Sequence, residues 1–120
     1  MSLTEGLVER YLAVWNESDA ESRRKAVAEI WSEDGLYANT GQEFRGHEGI
    51  EAAVTEAYVD FVANGFTFRL HAHSVNHDAA RITWDMVPKD GGDIAARGTQ
   101  YLTFAKDGRI RTDHQFPEEI

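Results

Sequence analysis

The side chains best suited to chemistry in this sequence are a phenol, an amide and two carboxylates on predicted strands. Tyr37 and Asn39 lie two residues apart, so on a strand both side chains point the same way. Together they could hold a water molecule or a ligand oxygen by hydrogen bonds. Asp113 is the leading candidate for a general acid or base, because burial in apolar surroundings raises the pKa of a carboxyl group. Asp85 is the second carboxylate and lies on a neighbouring predicted strand.

Each of these residues also has a purely structural interpretation. Tyr37 could be a half-buried core aromatic, with Asn39 beginning the loop that follows it. Asp85 and Asp113 could instead form cross-strand pairs with arginines at the surface, and each such pair would contribute well under about 1 kcal/mol. The residue types alone leave both interpretations open.

Aromatic side chains and one histidine extend the set of candidate ligand contacts. Tyr11 and Trp15 lie one turn apart in a predicted helix, and Trp84 lies on a predicted strand. All three suit either the wall of a pocket or an ordinary core. His114 directly follows Asp113, so on a regular strand it would face the opposite side of the sheet. A β-bulge would change that direction and bring His114 toward a ligand.

Two further histidines, His71 and His73, are two residues apart and would share one face of a regular strand. Such a pair could supply two ligands to a metal ion. No third ligand stands at a fixed spacing from them, so we predict no metal site and interpret the pair as part of a polar sheet face. Neither Ser32 nor Ser74 lies in a nucleophile-elbow motif, and the sequence therefore does not predict a Ser-His-Asp triad.

The composition excludes several classes of function. The 120 residues contain 12 Lys and Arg against 21 Asp and Glu, which gives a formal charge of −9. This acidity argues against nucleic acid and against anionic membrane surfaces as partners. The absence of cysteine excludes disulfides and a thiol nucleophile. No apolar run approaches the roughly 20 residues that span a bilayer, and we expect a single cytoplasmic domain over residues 1–120.

Hydrophobic periodicity predicts helices first and strands afterwards. Apolar residues recur at three- and four-residue spacing in the first half, and Ser18 with Glu21 matches a capping box. From Phe66 the period changes to two, and short turns divide the rest of the chain into an antiparallel meander. The predicted helices are 3–17, 20–32 and 47–64, with a turn at Asp34-Gly35, a strand at 36–39 and a loop at 40–46. The predicted meander strands are 66–76, 79–88, 94–105 and 109–116.

This order of elements defines an α+β fold in which the sheet has two unlike faces. The apolar face includes Phe68, Ile82 and Leu102 and requires the three helices to cover it. The opposite face is polar but rich in threonine, tyrosine and histidine. We expect a homodimer with twofold symmetry through that second face.

The element order, together with four local segments, resembles the nuclear-transport-factor-2-like superfamily and, within it, the SnoaL-like proteins. The segments are Trp15-Asn16, residues 30–37 (IWSEDGLY), residues 44–50 (FRGHEGI) and residues 106–110 (KDGRI). The resemblance covers essentially the whole chain. It implies a curved antiparallel sheet of four to five strands, wrapped as a cone around an internal pocket that opens beside the first helix. It also implies dimers.

The resemblance also bears on individual residues. Tyr37-x-Asn39 looks like the Tyr-x-Asn that positions the nucleophilic water in limonene-epoxide-hydrolase-like members. The two acids of steroid-isomerase-like members fall on Asn39 and Gln100, and because neither amide can exchange a proton at neutral pH, that activity is not implied. Gln100 could still donate a hydrogen bond to a ligand. The Arg-x-Asp of the epoxide-hydrolase-like pattern falls on Thr83-Trp84-Asp85, which lacks the arginine. Related pockets place an acid or a histidine on the strand that carries Asp113.

Two functions follow as expectations. The first is a cofactor-independent enzyme that hydrates, dehydrates or isomerises a small, largely apolar molecule. Asp113 would act as acid or base, and Tyr37 and Asn39 would orient a water or a substrate oxygen. The alternative is a non-catalytic ligand-binding or dimerisation module, which the amides at Asn39 and Gln100 favour.

Overall fold

The computed structural model describes residues 3–120, with side chains from residue 6 onward, and contains three helices and six strands. The helices are α1 (Leu3–Asn16), α2 (Ala20–Ile30) and α3 (Gly46–Asp60). The strands are β1 (Trp31–Ala38), β2 (Glu43–Arg45), β3 (Phe66–Asn76), β4 (Ala79–Pro88), β5 (Ala96–Phe104) and β6 (Ile110–Glu118). The α+β fold class is confirmed.

The strands form one sheet in the order β2-β1-β6-β5-β4-β3. The last four strands pair consecutively and antiparallel, as the meander prediction required. The first strand differs, because β1 pairs with β6 in parallel and with β2 antiparallel. The sheet is therefore mixed and has one strand more than the upper limit of the sequence prediction, since the short β2 lies in the predicted loop 40–46.

The region between the second and third helices differs most from the sequence prediction. Helix α2 ends at Ile30, and Trp31 already belongs to β1. Asp34 and Gly35 do not reverse the chain but lie inside β1, where the register to β6 shifts between Trp31 and Leu36. An irregularity of this kind lets extra residues loop out of a strand without ending it. A local turn signal can therefore mark a bulge.

The helix boundaries also correct two predictions. The N-cap of α2 is Asp19, whose Oδ2 accepts a hydrogen bond from the Ser22 backbone N–H at 2.9 Å, and it replaces the predicted capping box that began at Ser18. Helix α3 ends at Asp60, and a single 3₁₀ turn over Val62–Asn64 follows it. Gly65 then adopts a left-handed φ of 97°, which glycine tolerates without steric cost.

The core lies between the helices and the inner face of the sheet. Ile82, Leu102 and Ile110 are fully buried there, and Val14 and Val54 contribute from α1 and α3. The predicted apolar face is thus the one that the helices cover. Within residues 3–120, no helix has both the length and the apolar character needed to cross a bilayer.

A bulge in β3 separates the two histidines that were predicted to share a face. The register to β4 shifts between Leu70 and Ala72. Beyond the shift His73 pairs with the inward-facing Ile82, whereas His71 Nδ1 lies 3.4 Å from Asp85 on the outer face. The bulge inserts one residue and so reverses the alternation of side chains. No metal-binding group of three or more acidic or histidine side chains occurs among the described residues.

Candidate functional site

A cavity of about 130 Å³ opens between α1, α3 and the inner face of the sheet. An apolar cavity of roughly this volume can hold a molecule of the size of benzene. Seven of its fifteen wall residues are aromatic, and they come from α1, from four strands and from the residue that directly follows α3. The aromatic wall residues are Tyr11, Trp15, Tyr37, Phe44, Phe61, Phe68 and Trp84.

Asp113 lies beneath this wall, completely buried, at the centre of a hydrogen-bond network. The Tyr11 hydroxyl donates to Oδ2 at 2.6 Å, and Gln100 Nε2 donates to Oδ1 at 2.6 Å. Burial raises the pKa of Asp113 from 3.8 to about 7, although both hydrogen bonds act in the opposite direction. Desolvation therefore outweighs two charge-assisted hydrogen bonds, and the carboxyl group exchanges its proton near neutral pH.

Asp113 itself does not line the cavity, but both of its partners do. Asp113 was predicted from the sequence to contact the ligand directly, but its carboxyl group does not reach the cavity wall. A ligand would contact Tyr11 and Gln100, and Asp113 would act through them. In the sheet Asp113 pairs with Tyr37 on β1 and Leu102 on β5, and all three residues are buried.

The protonation state of Asp113 decides what Tyr11 can do. When Asp113 is ionised, both of its oxygens accept, and the Tyr11 hydroxyl proton is held away from the cavity. When Asp113 is protonated, its O–H can donate to the Tyr11 oxygen, and the Tyr11 O–H becomes free to donate to a ligand oxygen. Burial, followed by the charge of Asp113, raises the pKa of Tyr11 well above 10.0, so Tyr11 remains a neutral donor.

Packing and hydrogen bonding fix both partners of Asp113 in place. The Tyr11 ring lies 6.2 Å from the Trp15 ring and 5.6 Å from the Trp31 ring, measured between centroids. Gln100 Oε1 accepts a hydrogen bond from Trp84 Nε1 at 2.9 Å. Because its oxygen is occupied, the amide presents its NH₂ group to Asp113. Trp84 therefore lines the cavity and also sets the orientation of Gln100.

Tyr37 and Asn39 both line the cavity. Only Tyr37 lies on β1, and Asn39 begins the loop that follows it, which is one of the two interpretations that the sequence left open. The Tyr37 hydroxyl donates to Gln115 Oε1 at 2.5 Å. Burial, followed by the charge of Asp113, raises the pKa of Tyr37. Asn39 Oδ1 accepts from the backbone N–H groups of Gly41 and Gln42 at 2.9 and 3.0 Å. That turn uses the carbonyl oxygen, so the Asn39 NH₂ group is the part that can serve a ligand.

Asp85, the second predicted catalytic carboxylate, lies on the outer face of the sheet and not in the cavity. It is 2% exposed and accepts from Arg97 Nε at 2.7 Å, while His71 Nδ1 lies 3.4 Å away. The hydrogen bond from Arg97 holds the pKa of Asp85 below its ordinary value. The arginine that pairs with Asp85 is Arg97 on β5, and neither residue lines the aromatic cavity. Asp85 has the structural role that the sequence left open.

His114 also faces outward, because β6 is regular around Asp113 and places consecutive side chains on opposite faces. It lies in a shallow depression of the outer face together with Tyr101 and Phe116. The sequence prediction of His114 as a contact of the internal ligand is therefore wrong for this cavity. No bulge interrupts the register of β6 between Thr112 and Glu118.

Three polar wall residues were not predicted from the sequence. Gln115 follows Asp113 by two positions, so strand alternation could have placed it on the inner face. Glu56 and Asp60 line the cavity from α3, one turn apart. Their spacing from Ala53 matches one face of a helix. The signal was present, but acidic side chains on a helix are more often solvated than directed along a pocket.

Comparison with known proteins places this architecture in a family. The model of the SnoaL-like domain matches residues 8–112. The chain belongs to the SnoaL-like family. No curated protein matches this SnoaL-like chain significantly.

Solved structures agree over nearly the full length of the SnoaL-like domain. The "putative isomerase of the SnoaL-like family" from Agrobacterium tumefaciens is 30% identical, with a TM-score of 0.88, covering 99% of this chain and 100% of the other. A "putative ketosteroid isomerase" from Kribbella flavida is 16% identical, with a TM-score of 0.74, covering 98% and 79%. An NTF2-like protein of unknown function from Mesorhizobium loti is 21% identical, with a TM-score of 0.71, covering 98% and 92%. At these lower identities the last two support the fold alone.

Proposed function

We propose that this SnoaL-like protein binds a small, largely apolar molecule with an oxygen acceptor and relocates a proton within it, as an isomerase that uses its own side chains. The observation that carries the proposal is the buried Asp113, held between two residues that line an aromatic cavity. A buried carboxyl group with a pKa near neutrality, next to a cavity, is typical of acid-base catalysis. The name given to the Agrobacterium relative agrees with this reaction class.

The proton would travel through Tyr11. Protonated Asp113 donates to the Tyr11 oxygen, and the Tyr11 O–H donates to a ligand carbonyl. As the ligand loses a proton from carbon to water, its carbonyl oxygen takes the Tyr11 proton and Asp113 returns a proton to Tyr11. The products are an enol, a hydronium ion and an ionised Asp113. When water returns the proton to a different carbon of a conjugated enol and the enol oxygen gives its proton back through Tyr11 to Asp113, the product is an isomer. Return to the same carbon restores the ketone and is detected as exchange. Gln100 stabilises the ionised Asp113 by its hydrogen bond of 2.6 Å.

Tyr37 and Asn39 would orient the water or the second polar group of the ligand. The two side chains line the cavity beside Gln115. The Asn39 NH₂ group is a donor beside the Tyr37 hydroxyl, whereas Gln115 Oε1 already accepts from Tyr37. Tyr37 and Asn39 would therefore orient the water or the ligand and would not exchange protons with it.

The test uses acetophenone, a small aromatic ketone, as the probe. Exchange of its methyl protons for deuterium in D₂O is followed by NMR in the presence of the protein. Wild type should accelerate the exchange, and Tyr11→Phe should abolish the acceleration because the relay then lacks its middle oxygen. Tyr101→Phe is the matched control, since Tyr101 is 45% exposed on the outer face. Equal rates of methyl-proton exchange in the wild type and in Tyr11→Phe would contradict the proposed proton relay.

The second candidate function is ligand binding without catalysis. The observation that favours it is that the side chains facing the cavity near Asp113 are amides and phenols, and that the carboxyl group itself is covered. Under this proposal acetophenone binds but its methyl protons exchange no faster than in buffer. Binding would be measured by quenching of the fluorescence of Trp15 and Trp84, which both line the cavity.

We also propose that two copies pair through the outer face of the sheet. Tyr101 is 45% and Phe116 is 49% exposed there, and their rings meet edge to face with centroids 5.3 Å apart. The two rings border the shallow depression that also contains His114. Exposed aromatic side chains grouped on one sheet face favour an interface over a solvated surface.

A further inference from the structure

The charged side chains that line the cavity are all acidic. Among the residues that form its wall, only Glu56 and Asp60 carry a charge at neutral pH. No lysine, arginine or histidine of the described chain lines it. Both carboxylates lie on α3 one turn apart and are solvent-exposed, so they stand at the open side of the cavity. Phe61 is also exposed, whereas five of the other aromatic wall residues are buried.

The negative field extends into the cavity and is not neutralised at its rim. The charges of Glu56 and Asp113 both act on the Tyr37 hydroxyl, which lies in the wall. Within residues 6–120, neither Glu56 nor Asp60 takes part in a salt bridge. A narrow cleft lined by one sign of charge concentrates ligands of the opposite sign.

The aromatic rings act in the same direction as the carboxylates. The faces of tryptophan, tyrosine and phenylalanine carry partial negative charge and attract cations, and organic ammonium groups are commonly bound among several such rings. Phe61 lies on the same side of the cavity as Asp60, and Tyr37 packs against Trp15 with centroids 5.1 Å apart. A protonated amine at the opening would thus meet carboxylates and aromatic faces together.

We propose that the natural ligand of this cavity is a small organic ammonium compound, with its apolar part among the aromatic rings and its protonated amine at Glu56 and Asp60. The inference rests on the proposed function, because it assumes that the cavity binds a ligand. It adds the charge class of that ligand. The same field disfavours carboxylates and phosphate esters, since Glu56, Asp60 and ionised Asp113 all repel them.

The test compares three probes of nearly equal size and different charge: benzylammonium, benzyl alcohol and benzoate. Their binding to the full chain is measured by tryptophan fluorescence at neutral pH and low ionic strength. Benzylammonium should bind about tenfold more tightly than benzyl alcohol, and benzoate should bind more weakly than either. Added salt should reduce the preference for benzylammonium, because the carboxylates are exposed to solvent.

Variants of α3 separate this inference from general electrostatics. Glu56→Gln and Asp60→Asn should each weaken benzylammonium binding about threefold and leave benzyl alcohol unchanged. Glu51→Gln is the matched control, because it removes the same charge from the same helix but Glu51 does not line the cavity. Thermal unfolding of each variant verifies that the fold is retained.

The outcomes decide between the two proposals. If benzyl alcohol binds and benzylammonium binds no more tightly, the ammonium inference is wrong and the proposed function stands. Equal weakening by Glu51→Gln and Glu56→Gln would also overturn it, because the preference would then come from the net charge of −9 alone. If none of the three probes binds, both the inference and the proposed function fail.

Discussion

At the scale of single residues, the most consequential feature is a carboxyl group whose neutral form the fold prefers. Asp113 is completely buried, and burial raises its pKa to about 7. Its two hydrogen bonds keep the ionised form accessible without making it dominant. The protonation of Asp113 therefore affects both the hydrogen bonding of Tyr11 in the cavity wall and the stability of the whole chain.

This link predicts how stability depends on pH. Between about pH 4 and about pH 7 the folded chain holds a proton on Asp113 that the unfolded chain has lost, so the free energy of unfolding falls as pH rises. Asp113→Asn mimics the neutral form and should remove that fall. At about pH 8 the variant should be more stable than wild type by on the order of 4 kcal/mol, whereas at about pH 4 the two should nearly agree.

Urea denaturation across this pH range measures the effect. Asp90→Asn is the control, because Asp90 is exposed in the turn between β4 and β5. It should follow the wild-type curve throughout. Parallel curves for wild type and Asp113→Asn would mean that Asp113 titrates alike in the folded and unfolded chains.

At the scale of secondary-structure elements, single contacts determine where helices begin and how the strands accommodate the cavity wall. Helix α2 depends on its N-cap, and the wall depends on a glycine in β5. Both features can be altered without touching Asp113. Substitutions at these two positions therefore test the local contacts at the start of α2 and in the cavity wall.

Removal of the N-cap side chain should destabilise α2. Asp19 Oδ2 accepts from both the backbone N–H and the hydroxyl of Ser22. Asp19→Ala should lower the free energy of unfolding by about 1 kcal/mol, which thermal unfolding would detect as a lower melting temperature. Ser18→Ala is the control and should have no effect. The reverse result would restore the capping box that the sequence pattern suggested.

Gly98 is required because the Trp84 indole lies directly over it. A Cβ atom at this position would lie 2.4 Å from Cζ2 of Trp84, so the indole would have to move. Gly98→Ala should destabilise the protein by about 1 to 3 kcal/mol. Because Trp84 orients Gln100 and lines the cavity, the variant should also shift tryptophan fluorescence and weaken benzyl alcohol binding.

The contrasting glycine is Gly6, where a Cβ atom would meet nothing within 4 Å. Gly6→Ala lies within α1 and should stabilise the protein slightly, because alanine favours the helix. Opposite signs at the two positions would show that steric overlap, and not the loss of glycine as such, causes the defect. Unchanged stability in Gly98→Ala would contradict the described position of Trp84.

At the scale of the whole molecule, one face of the sheet covers the core and cavity, and the other face is the one through which we propose that two copies pair. We predict that the protein sediments as a dimer at tens of micromolar. Tyr101→Asp combined with Phe116→Asp should produce monomers, because each charge would be buried in the proposed interface. Val59→Asp is the control, since Val59 is 56% exposed on α3 and away from that face. A monomeric wild type would refute the pairing.

Much of this architecture could be predicted because it depends on local periodicity. The strands predicted at 66–76 and 79–88 are observed with those bounds, and alternation correctly placed Ile82 and Leu102 on the covered face. Bulges limited the prediction elsewhere. The irregularity in β1 made Asp34-Gly35 look like a turn, and the bulge in β3 separated His71 from His73.

The sequence indicated the SnoaL-like resemblance and, apart from β2, the order of elements, because these follow from local segments and hydrophobic spacing. It left open whether Tyr11, Trp15 and Trp84 line a pocket or fill a core. Only the tertiary structure decided which polar groups meet. Tyr11 and Asp113, which are hydrogen-bonded, are 102 residues apart in the sequence. On the opposite face of the sheet, Arg97 on β5 donates to Asp85 on the adjacent strand β4. Whether a carboxyl group is covered, paired or solvated depends on neighbours brought from distant elements, and that environment sets its pKa and thus its chemistry.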